Sequence, residues 1–110
     1  MARGAEVPHP SGWVLRYADR RAELGWKSVV AQARGSATEA WEQLTRDPRR
    51  ITQRQHRLKG ALRSGRYRGR TLEQWQYEVT GSGRLWYLVD DDERTVWLVH
   101  AGTGHPKATE

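Results

Sequence analysis

Cysteine is absent from all 110 residues. That excludes a disulfide scaffold, a cysteine zinc site and an iron–sulfur cluster, and it fits a reducing compartment. Phenylalanine is absent too. No apolar run approaches the ~18 residues of a membrane span, so no membrane association is expected. Met1-Ala2-Arg3-Gly4 opens onto no hydrophobic stretch of the signal-peptide kind, and a cytoplasmic protein is expected. Neither an internal repeat nor a low-complexity tract is visible. At 12.7 kDa the chain has room for one small core.

That core must be built largely on indoles and phenols, from six Trp and four Tyr. Charge is the second conspicuous feature. Lys and Arg total 19 against 13 Asp and Glu, a net of +6, and 16 of the 19 are Arg. The planar guanidinium fork donates two parallel hydrogen bonds, which suits phosphate. The excess is local. From Arg46 to Arg70 there are ten basic residues and one acid, Asp47, while the other 85 residues carry nine basic and 12 acidic groups. A general solubility bias would be spread over the chain; this one is a single cationic segment.

Residues 1–12, with Gly4, Pro8, Pro10 and Gly12, read as a flexible tail. A single domain is expected over residues 13–107, with 108–110 as its end. Trp13 to Tyr17 reads as a first strand. From Asp19 to Arg34 the period lengthens: Ala22, Trp26, Val29, Val30 and Ala33 share one helical face. Gly25 costs that helix roughly 1 kcal/mol against Ala. Gly35 suits a helix end, and Ser36-Ala37-Thr38-Glu39 matches a capping box opening a second helix through Leu44. Asp47-Pro48 ends it. One glycine between two helices predicts an antiparallel hairpin. The basic stretch, broken by Gly60, Gly65 and Gly69, reads as loop and edge strand. Three runs follow, 72–80, 84–89 and 95–100, joined by Gly81-Ser82-Gly83 and Asp90-Asp91-Asp92-Glu93; connections so short predict an antiparallel meander. The expected class is α+β, with a short strand, a helix hairpin packed on one sheet face, and a three-strand meander.

Pairing 80 with 84 and 89 with 94 sorts the meander into two faces. One holds Trp75, Tyr77, Val79, Leu85, Tyr87, Val89, Val96, Leu98 and His100, and is assigned to the helices. The other holds Gln74, Gln76, Glu78, Arg84, Trp86, Leu88, Thr95, Trp97 and Val99. Indoles among polar side chains beside a cationic arm suit single-stranded nucleic acid, stacked on the rings and held by Arg. The plainer reading is that Trp86 and Trp97 are cross-strand packing under the basic segment.

The order of elements resembles the RelE/ParE superfamily of bacterial toxin–antitoxin toxins. Trp41-Glu42-Gln43-Leu44 with Asp47-Pro48-Arg49 is similar to the end of the family's second helix. Arg57-Leu58-Lys59-Gly60 resembles its connector, Arg84 to Val89 a meander strand, and Val96 to Gly102 the last strand before a catalytic tail. The match spans about residues 13–107 and leans to the RelE-like branch, whose members cut messenger RNA on the ribosome.

The resemblance implies an endoribonuclease that needs no cofactor. Such an enzyme deprotonates the 2′-OH, stabilises a phosphorane and protonates the leaving 5′-oxygen, and acid–base groups with a cationic clamp suffice. Arg84 stands where the family keeps a phosphate-holding Arg. His105 lies in the tail that carries a catalytic group, and an ordinary imidazole titrates in the range either role needs. Lys59 of the connector and Glu78, a carboxylate able to act as base, complete the catalytic candidates. Arg54, His56, Arg57, Gln76, Trp86, Trp97 and Lys107 are the RNA-binding candidates. The family's paired lysines are replaced by Gln76 and Glu78, and its terminal Tyr is missing. A metal reading of Asp90 to Glu93 is disfavoured, because side chains on a tight turn diverge; a solvated hairpin tip is expected. The implied partners are a cognate antitoxin of helix-turn-helix or other DNA-binding type, in a toxin–antitoxin hetero-oligomer, and mRNA on the ribosome. A gyrase-poisoning toxin of the ParE branch and a non-catalytic RNA- or DNA-binding module are the alternatives.

Overall fold

A computed structural model of the chain describes residues 3–5, 7 and 12–104. Strand β1 is Val14–Tyr17, helix α1 Arg20–Gln32 and helix α2 Arg34–Arg46. Strands β2 Gln55–Arg57 and β3 Ser64–Tyr67 flank a 3-10 turn at Gly60–Arg63. Strands β4 Arg70–Glu78, β5 Arg84–Asp90 and β6 Thr95–Gly102 follow. This is the α+β architecture expected, as a six-stranded mixed sheet in the order β1-β6-β5-β4-β2, with β3 also on β4. The expected meander is its centre. The basic stretch adds two short strands along β4, and β1 lies parallel to β6. Among the described residues no helix is long and apolar enough to cross a membrane.

Asp19 caps α1 by accepting from the Ala22 amide at 2.9 Å. The helix break is not where the sequence suggests. Gly35 and Ser36 lie inside α2, and the chain turns at Ala33, with φ −149° and ψ 63°. Its N–H bonds Val29 O at 2.7 Å, and its carbonyl takes the Ala37 N–H at 2.9 Å. With one non-helical residue serving both ends, no side-chain cap forms on α2.

The observed pairs Glu78–Arg84, Gln76–Trp86 and Tyr87–Leu98 lie two residues from the expected register. A shift of two preserves the faces. Trp75, Tyr77, Val79, Leu85, Tyr87, Val89, Val96 and Leu98 all join Ala22, Val29, Ala37, Ala40 and Leu44 in the helix-side core. His100 does not. A β-bulge beside Trp86 and Tyr87 sets Trp86 opposite His100 and Leu85 opposite Ala101, so Ala101 enters the core and His100 turns to the far face.

A polar hub ties the basic segment to this core. The Tyr87 hydroxyl donates to Pro48 O at 2.7 Å, and the fully buried Gln55 amide donates to Tyr87 Oη and to Asp47 O. Burial pushes the Tyr87 phenol well above its ordinary range.

The far face is closed over half its length. Arg68 and Gly69 take positive φ of 51° and 79°, the form of a two-residue turn joining β3 to β4. This hairpin folds back across the sheet. Tyr67 lies against Trp97 at 4.7 Å between ring centroids and donates its hydroxyl to Ala18 O. Gly65 approaches Leu88 so closely that a Cβ there would stand 2.9 Å from the Leu88 methyl.

Candidate functional site

The half of the far face that the hairpin leaves uncovered carries two side-chain rows. Across β2, β4, β5 and β6 the pairing aligns His56, Gln76, Trp86 and His100. The next row holds Glu78 and Arg84, with Gly102 opposite Arg84. The first row is partly wired. Trp86 Nε1 donates to Gln76 Oε1 at 2.8 Å, which turns the Gln76 amide nitrogen toward His56 Nε2 at 3.4 Å. His56 Nδ1 lies 3.0 Å from Arg57 O, and since a carbonyl only accepts, Nδ1 is the donating nitrogen.

Arg84, at the position where the resembled family keeps a phosphate-holding Arg, follows the glycine turn and is only 8% exposed. Its Nη1 donates to Gly83 O at 3.0 Å and Gly81 O at 3.3 Å, and Nη2 lies 3.9 Å from Glu78 Oε1. The glycine turn folds its carbonyls back onto the side chain and covers it. Glu78 keeps 31% side-chain exposure. Lys59 precedes the 3-10 turn with an exposed side chain, and Arg54 is likewise exposed, its carbonyl accepting from the Glu78 amide. Arg57 lies exposed along the connector, donating to Arg63 O and approaching Glu73 at 3.9 Å.

The indoles are not open platforms. Trp86 is 8% and Trp97 5% exposed, too little for a base to stack on. Trp97 lies under Tyr67 and Arg68 and donates its indole N–H to Asp90 at 3.0 Å. The packing reading therefore accounts for both rings. His105 and Lys107 lie outside the described residues.

The structure adds His100, which the sequence assigned to the core. Its Nε2 is buried, and among the described residues it has no hydrogen-bond partner. Burial, and then the nearby Arg21, hold its imidazole below the ordinary range. Alternation alone could not find it, because the bulge has no mark in the composition of the strand.

Asp91, Asp92 and Glu93 are exposed, as expected of a solvated hairpin tip, and Asp90 is the exception. Asp90 is fully buried and paired with Arg70, which also reaches Asp92 at 3.3 Å. Asp91 takes both Arg49 Nη groups, at 2.9 and 2.7 Å. The carboxylates are drawn to arginines on two sides. Among the described residues no three His, Cys, Asp or Glu converge as metal ligands.

No protein-family model and no curated protein matches the chain. Among solved structures, the chain is similar to a metal-bound toxin from Helicobacter pylori, with a TM-score of 0.59 and 16% identity over 82% of this chain and 92% of that one. At that identity, what the two chains share is the fold.

Proposed function

We propose that the chain is the toxin of a toxin–antitoxin pair, a RelE-like endoribonuclease acting on mRNA. The observation that carries this reading is the part of the far face beyond the β3–β4 hairpin, where the half-buried His56, Gln76 and Glu78 adjoin the buried Arg84 beside a cationic connector. The likeness in fold to a toxin supports the reading.

RNA cleavage of this kind uses the 2′-OH as nucleophile on the adjacent phosphorus, forming a cyclic phosphate and releasing the 5′-oxygen. Two proton carriers and positive charge on the phosphorane are needed. Glu78 and His56 are the groups assigned to move protons, His56 opposite Gln76 on β2 and Glu78 two residues along β4. Gln76, fixed by Trp86, orients the imidazole. Lys59 and Arg54 supply exposed positive charge, and Arg84 orients Glu78 from below. An antitoxin would neutralise the cationic connector and the site beside it.

The test is primer extension on a translated messenger, with and without ribosomes. Wild type should cut, and His56→Ala and Glu78→Gln should each lose about 100- to 10,000-fold in rate with melting temperatures unchanged. Lys59→Ala should lose on the order of 100-fold if it meets the phosphorane. Wild-type protein that leaves RNA intact but arrests gyrase would transfer the assignment to the ParE branch.

A further inference from the structure

At the opposite end of β6 from His100, strand β1 forms a sheet edge. Val14 and Ala18 send their amides inward, to Arg94 O at 3.0 Å and Leu98 O at 2.9 Å. Alternation then directs the N–H and C=O of Leu15 and Tyr17 outward. No described residue pairs with that edge, since β6 is the one strand on β1. Beside it, on the far face, runs a groove of about 590 Å³ lined by all four β1 residues with Arg68, Glu93, Thr95 and Trp97. Val14 on the far face is 47% exposed and Tyr17 on the helix side 40%.

We infer that this edge receives an extended segment of a partner protein, with acidic and apolar side chains alternating, as an added strand beside β1. A main-chain ladder with two outward donors and two outward acceptors is matched by another peptide backbone. The side chains specify the rest. On the far face the new strand would meet Arg16 and, across the groove, Arg68, whose guanidinium lies over the Tyr67 and Trp97 rings. Glu93 is the one acid in the lining. On the helix side it would meet Leu15 and Tyr17, which call for apolar residues.

A second copy of the chain fits poorly. The antiparallel pairing that uses Leu15 and Tyr17 of both copies sets Arg16 directly opposite Arg16, at the ~4.5 Å Cα spacing of a non-hydrogen-bonded pair. RNA phosphate could meet the guanidinium groups but would leave the amide ladder unmet. The inference stands on the edge itself and holds whether or not the chain cuts RNA.

The test is amide NMR on the whole chain, titrated with the peptide acetyl-Glu-Val-Glu-Val-Glu-Val-amide. Expected are shifts at residues 14–18, Arg68 and the Trp97 indole N–H. Solvent exchange should slow at Leu15 and Tyr17, while Val14 and Arg16, already bonded to β6, should change little. Leu15→Pro removes one outward N–H where an edge strand tolerates proline, and Arg16→Glu reverses the charge; each should weaken binding at least tenfold with the far-face spectrum intact. The lysine counterpart of the peptide should not bind. The inference is overturned if the acidic peptide shifts only residues 54–63 or nothing at millimolar concentration. It is also overturned if both peptides bind equally, or if hexauridylate takes the edge and the peptide does not.

Discussion

At Gly25 the α1 backbone sits against β6, and a Cβ placed there would stand 2.1 Å from Ala101 O. The sequence shows this glycine only as a helix defect. In the fold it is the contact that lets α1 lie close on the strand carrying Leu98 and Ala101. Gly25→Ala gains about 1 kcal/mol of helix propensity, but it must push helix and strand apart at about 1–3 kcal/mol or more. The variant should melt lower than wild type in urea, and a higher midpoint would show that the helix can slide. Asp90 is the second decisive residue. The Arg70 guanidinium, and then the Trp97 indole N–H and the Glu93 amide, hold its carboxyl at about 2. A folded-state value below the ordinary ~3.9 of an unfolded Asp means the group stabilises the fold above that pH. The contribution is lost as pH falls from about 4 toward about 2. Asp90→Asn should cost about 1–3 kcal/mol at neutral pH, since Arg70 and Trp97 keep a weaker acceptor. Its urea midpoint should fall less steeply than wild type over that acid range; parallel curves would place the acid sensitivity elsewhere.

The β3–β4 hairpin decides what the far face can do. Tyr67→Ala removes the ring over Trp97 and the hydroxyl bond to Ala18, at about 2–4 kcal/mol. Tryptophan emission should shift to the red as Trp97 meets water, and a spectrum identical to wild type would mean that the hairpin does not shield it. Tyr67→Phe should keep the emission and lose about 1 kcal/mol. The helices, the meander and the core face are legible in the sequence because each repeats a simple period, 3.6 or 2, over enough residues to register. A two-residue error in pairing left the faces unharmed for the same reason. What escapes the periods is single-residue geometry: the break at Ala33, the bulge that turns His100 outward, and the Arg68-Gly69 turn that folds a strand over Trp97. Of the site candidates, alternation placed Gln76, Glu78 and Arg84 on one face, and His56 joins them through β2, a short strand that no period marks. Arg84's burial was not legible, because it depends on turn carbonyls curling onto the guanidinium.

Across the whole molecule the cationic segment and the acidic turn prove to be one structure. Of the ten basic residues from Arg46 to Arg70, five spend their side chains within the fold. Arg49 pairs with Glu73 and Asp91, Arg57 bonds Arg63 O beside Glu73, and Arg70 holds Asp90 and Asp92. Arg66 bonds Thr71 and Gly69 O, and Arg68 lies over aromatic rings. Raw composition therefore overstates the charge that a nucleic acid could meet, because half of it orders the connector. If about five cations of the chain reach phosphate, the slope of log K against log salt for single-stranded RNA should be about −3.5. Three contacts would give about −2. Asp91→Asn provides the sharper arm: it frees the Arg49 guanidinium from its two-bond partner, and the slope should steepen by about 0.7 if Arg49 then reaches the strand. A wild-type slope of about −5 or beyond would mean that about seven cations meet phosphate, drawn from elsewhere on the chain or pulled from the carboxylates of the connector, and the Asp91→Asn arm separates the two. A slope near zero would remove phosphate from the recognition altogether, and with it the reason for reading the uncovered face as a site for RNA.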